Sequence, residues 1–93
     1  MTSSQLNNID ELLSADDGIV SFEVKEQIRG WNKPATALQV YDTLNYAVRH
    51  SACSNMMLTL LNAELAEVLE REGISYIDVA QTAMTRDICN RNS

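Results

Sequence analysis

Apolar residues recur along the chain at helical spacing, and no stretch sustains the alternation of a strand without also fitting a helix. Leu6, Ile9, Leu12 and Leu13 fall on one side of a segment from 3 to 14, which the polar run Ser14-Ala15-Asp16-Asp17-Gly18 closes. From 19 to 26 two periods compete. Val20, Phe22 and Val24 alternate with Ser21, Glu23 and Lys25, as in a strand, whereas Val20, Val24, Ile28 and Trp31 recur as on a helix ended by Gly30. No other stretch offers a strand partner, so helix is expected.

Pro34 suits the first turn of the next helix, which runs to His50. Ala37, Val40, Tyr41, Leu44, Ala47 and Val48 share one arc there, with Asn45 at its edge. Arg49 and His50 sit in the last turn, where positive charge complements the carbonyl end of the helix dipole. Ser51 or Ser54 can cap the next segment, which runs from about 55 to 72 with Met57, Leu58, Leu61, Leu65, Val68 and Leu69 on one face and Gly73 at its end. Ser75 and Asp78 then form a capping-box-like pair opening a last helix, whose apolar stripe is Ile77, Ala80, Met84 and Ile88. The tail Asn90-Arg91-Asn92-Ser93 is expected to fray. The pattern predicts an all-α fold: a single helical domain over 1–93, a compact bundle of four to five short helices joined by short loops, with residues 1–17 acidic and mobile.

The run Tyr76-Ile77-Asp78-Val79-Ala80-Gln81-Thr82-Ala83-Met84 resembles the first helix of lac-repressor-type helix-turn-helix domains, in which a similar Asp-Val-Ala run with a second alanine precedes a turn and a recognition helix. The resemblance implies, as the alternative function, a small DNA-binding transcriptional regulator. It covers about eight residues of 93. Met84-Thr85-Arg86-Asp87 stands where the turn glycine belongs, and Ile88 to Ser93 are too few for a recognition helix in the major groove. From Ile74 onward Asp78 and Asp87 cancel Arg86 and Arg91, whereas phosphate contacts draw on a basic surface. Direct nucleic-acid binding is therefore not expected.

Composition narrows the class. Hydrophobic residues make up 45% of the chain, too many for disorder, and the five aromatics (Phe22, Trp31, Tyr41, Tyr46, Tyr76) leave most packing to aliphatic side chains. Two cysteines, Cys53 and Cys89, without a basic, apolar leader, read as reduced thiols in a cytoplasmic protein. No apolar run approaches the roughly 20 residues of a membrane span. His50 and Cys53 have a spacing that can hold a metal, but the second ligand pair of a structural zinc site is missing. One histidine and no glycine-rich phosphate loop leave no assembled catalytic set. Neither enzyme activity nor a cofactor nor a metal is expected.

Thirteen acids against seven bases give a net charge of −6, unevenly spread. Residues 1–26 carry −5, residues 27–63 carry +2 and residues 64–73 carry −3. Glu64, Glu67 and Glu70 span about a third of the helix circumference away from the main apolar face, and Leu60 points into the same sector. Tyr46 lies on the polar side of its own helix. A leucine among carboxylates and an outlying tyrosine suit an interface with a basic, partly apolar partner. The expectation is a non-catalytic regulator, adaptor or inhibitor that binds another protein through Leu60, Glu64, Glu67, Glu70 and Tyr46. One variant has the carboxylates imitating nucleic-acid phosphates. Because the 57–69 helix is apolar over more than one face and the chain is short, a homodimer is also expected.

Overall fold

Helix starts after the first are set by side chains that take up otherwise free backbone amides. The computed structural model describes residues 8–91, over which the chain forms α1 (Asn8–Ser14), α2 (Phe22–Arg29), α3 (Ala37–Arg49), α4 (Asn55–Glu72) and α5 (Tyr76–Arg91). Ser21 Oγ accepts from the Val24 amide at 3.3 Å, and Ser54 Oγ from Met57 at the same distance. Ser75 Oγ accepts from Asp78 at 3.1 Å while the Asp78 carboxylate accepts from the Ser75 amide at 3.4 Å, the capping box expected for α5. Gly73 closes α4 at φ +71°, a left-handed conformation that a side chain disfavours. Gly30 closes α2 without leaving the right-handed region.

Two boundaries differ from expectation. Pro34 is not in the first turn of α3 but in the loop before it, after a cis Lys33–Pro34 bond. The cap is Thr36, whose hydroxyl accepts from Gln39 N at 3.2 Å while Gln39 Oε1 accepts from Thr36 N at 3.1 Å. That reciprocal pair satisfies two amides where a proline satisfies none. At the other end, α5 continues through Asn90 and Arg91; Asn92 and Ser93, like Leu6 in the first predicted helix, lie outside the described residues.

The bundle is organised around α3, which packs against α2, α4 and α5, while α1 packs against α2 and α4. The core is aliphatic, with Leu12, Val20, Val24, Val40, Ala47, Leu61 and Val68 fully buried. Val20, Val24, Ile28 and Trp31 all point inward and Phe22 outward, so the helical period prevails over the alternating one. The α1–α2 and α3–α4 connections meet in an isolated antiparallel bridge at Val20 and Cys53, where Ser21 N donates to Ala52 O at 2.8 Å and Ser54 N to Ile19 O at 2.9 Å.

Among the described residues, two polar side chains lie inside. Lys25 donates to the Ala15 carbonyl and, at 3.0 Å, to Asp17. Thr43 receives the Trp31 indole N–H at 3.0 Å and donates to Gln27 Oε1 at 3.0 Å. The buried arc of α3 is thus turned toward Thr43, and Val48, expected inside, is exposed.

The expected core stripe of α5 requires a larger correction. Ile77, Met84 and Ile88 are exposed, and the helix buries Val79 and Ala83 instead. The cause is the way α5 is fixed to α3. Arg86 makes a two-pronged pair with Asp42, at 2.8 and 3.0 Å, and Tyr76 meets Tyr41 edge-on with ring centroids 5.6 Å apart. These contacts turn the small side chains inward and the large ones outward.

Candidate functional site

The sector expected to bind a partner is divided by the packing. Leu60 is half-buried against the core. Glu64 is half-buried too, beside a pocket of about 550 Å³ formed between α1, α4 and the α2–α3 loop, with Trp31, Ile28, Leu13, Asp10 and Arg71 among its walls. Arg71 is held there by a 2.6 Å hydrogen bond from its guanidinium to the Ala35 carbonyl. Glu67 and Glu70 stand exposed on α4, and neither forms an ion pair among the described residues. The fourth acid of the segment, Glu72, serves the fold, since it accepts from the Ala37 amide at 3.3 Å, in the first turn of α3.

Burial, followed by the neighbouring Glu67 charge, pushes the Glu64 carboxyl above the usual glutamate range, against the opposing pull of Arg71 and a hydrogen bond with the Asn8 side chain. The folded protein therefore retains this proton at a pH where the unfolded chain has lost it. Stability contributed through Glu64 is present in acid and declines as pH rises through the raised value. Glu64→Gln is expected to remove that decline. Its urea midpoint should exceed that of the parent protein by more at pH 7 than at pH 4, and parallel pH curves for the two proteins would refute the assignment.

The acids of α1 are close to those of α4. Helix α1 packs directly on α4, and Asp10 and Glu64 line the same pocket. Two acidic segments that are some fifty residues apart in the chain thus lie on adjacent helices.

Tyr46 is elsewhere. It is half-buried and lines a polar cleft of about 320 Å³ with Asp42, Arg49, His50, Arg86 and Asp87, none of them from α4. Its ring lies against His50, with centroids 4.3 Å apart and planes inclined by 36°. Asp42 is occupied by both prongs of Arg86, whose guanidinium also reaches Asp87 at 3.1 Å. The Asp42 hydrogen bonds, then those to Asp87, raise the Arg86 pKa above its already high ordinary value, so this charge is permanent. The Asp42 carboxylate is therefore committed to Arg86, and His50 is held by a ring contact. Burial pushes the Cys53 thiol up, away from the reactive thiolate. Among the described residues, no group of three or more histidines, cysteines or acids is placed to hold a metal ion.

Sequence reasoning missed two features of these surfaces. The Asp42–Arg86 clasp joins residues 44 apart, and no local pattern announces it. The outward apolar row of α5 was legible as a row but not as an outward one. No described helix is long and apolar enough to cross a membrane. Compared with known proteins, the chain matches no family model, no curated protein sequence and no solved structure.

Proposed function

We propose that this chain is a small non-catalytic cytoplasmic protein that acts as a homodimer and binds another protein as a regulator, adaptor or inhibitor. The observation that carries this reading is the convergence of the two acidic segments on the adjacent helices α1 and α4, with Glu67 and Glu70 exposed and not engaged in ion pairs among the described residues. Such a surface selects a partner with a basic face, because complementary charge accelerates encounter and penalises acidic competitors. Glu64 and the half-buried Leu60 form its inner margin, and Tyr46 offers a separate contact across α3. If the partner is itself a nucleic-acid-binding protein, these carboxylates occupy the positions of phosphates.

A helix-turn-helix reading has less to rest on. Helix α5 is continuous through Met84–Asp87, where the turn of the resembled family would fall.

The test is parallel affinity capture from host lysate with the parent protein and the double variant Glu67→Lys/Glu70→Lys. A basic protein retained by the parent is expected to lose about 10- to 100-fold in affinity for the variant, while helical content is unchanged. Equal retention by both would remove this surface, and duplex DNA retained by the parent at low salt would favour the transcriptional-regulator alternative.

A further inference from the structure

Helix α5 presents its large aliphatic side chains on the side turned away from the bundle. At 100° per residue, Ile77, Gln81, Met84 and Ile88 lie within about 60° of one another. Val79, Ala83 and Arg86, which bury or anchor the helix, lie on nearly the opposite side. Ile77 is 66% exposed, Met84 62% and Ile88 49%, and Ile74, just ahead of the helix, is 37% exposed. A single exposed leucine or isoleucine is ordinary, but a row three turns long is the mark of a surface that is covered by something.

The charge distribution points to what covers it. The protein carries −6 overall, yet the row itself has no charged residue. The charges of α5 sum to zero, Asp78 and Asp87 against Arg86 and Arg91, and Arg86 is turned away from the row toward Asp42. A basic partner finds its complement on α1 and α4, not here. A second copy of this acidic chain, by contrast, can approach closely only where neither copy presents net charge. The apolar area also suits a second copy. Side chains at these exposures offer on the order of 500 Å² per copy, so pairing two copies covers about 1,000 Å², the threshold of a specific interface.

We infer that the protein self-associates through α5, about a two-fold axis that sets the two α5 helices antiparallel. The row is self-complementary in that arrangement: Ile77 of one copy lies against Ile88 of the other, and Gln81 and Met84 flank the axis from both sides. Each α5 then has α3 on one side and its symmetry mate on the other, which completes a four-helix layer. The inference rests on the homodimer reading above and assigns the surface responsible.

Sedimentation equilibrium of the full chain tests it, with the parent protein, Met84→Glu, Ile77→Glu and a control, Met56→Glu, at a 72% exposed position on α4. The parent and Met56→Glu are expected to be dimers. Met84→Glu and Ile77→Glu are expected to raise the dimer dissociation constant about 100-fold or more, because each brings two like charges into an apolar contact. Circular dichroism should show the helical content of the parent in both variants. A parent that dimerises together with variants that dimerise equally well would overturn the α5 interface and leave the homodimer standing. A parent that remains monomeric at about 100 μM would overturn both.

Discussion

Leu61→Ala is expected to destabilise the protein by about 3 kcal/mol, in the range observed for buried leucines, and to lower Tm by roughly 12–24 °C for a domain of this size. Leu61 is fully buried in the middle of α4 and belongs to the cluster that joins Leu12 of α1, Val40 and Leu44 of α3 and Val68 of α4 itself. Truncation removes the transfer free energy of the lost methyl groups and leaves a cavity that helices held from two sides cannot collapse to fill. A 93-residue chain has little reserve, since total stability is of the order of 5–10 kcal/mol. Urea unfolding followed by circular dichroism at fixed protein concentration measures the loss. Met56→Ala on the exposed side of the same helix should stay within about 0.5 kcal/mol of the parent. Equal effects at 56 and 61 would contradict the placement of α4.

Thr43→Val is expected to cost about 1–3 kcal/mol, although valine reproduces the shape of threonine closely. The hydroxyl is the middle member of a chain in which the Trp31 indole donates to it and it donates to Gln27. Valine leaves a buried indole N–H without an acceptor, and the cost arises from that unsatisfied donor more than from the lost bond. A double-mutant cycle isolates the effect. With phenylalanine at position 31 there is no indole donor, and Thr43→Val should then lose at least half of its cost. Trp31 is the sole tryptophan, so in the single variant its emission reports the same site directly. An undiminished cost in the Trp31→Phe background would show that the indole bond is not the source.

The helices were legible in the sequence because their ends are written in local chemistry. Ser54, Gly73 and the Ser75–Asp78 pair act within one turn of where they stand, so short-range rules suffice for α4 and for the start of α5. The face that each helix buries is another matter. For α4 the strongest apolar face is the buried one, because α1 and α3 both pack on that helix. For α5 the strongest apolar face is the exposed one, because its orientation is decided by Asp42 and Tyr41, far away in the chain. Periodicity reports where apolar residues lie on a helix but carries no information about whether a neighbour is present to meet them. Thr43 and Val48 on α3 teach the same lesson: a polar residue goes inside when Trp31 and Gln27 satisfy it, and valine goes outside when no helix covers it. Of the candidate binding residues, the sector from 60 to 70 could be placed on one helix from spacing alone. That α1 would bring further acids beside it, and that Tyr46 would lie in a different cleft, depended on tertiary contacts.

The small bridge at Val20 and Cys53 has a consequence for how the two connections can change. Each belongs to a different helix pair, yet their backbones share hydrogen bonds immediately before the capping serines Ser21 and Ser54. Lengthening either connection by one residue would break the register of the bridge and displace the start of the opposite helix as well. Insertions and deletions at these two places are therefore coupled. The connection between Gly30 and Thr36 lies outside the bridge, so a change there leaves that register untouched and acts instead on the Trp31–Thr43 and Arg71–Ala35 hydrogen bonds.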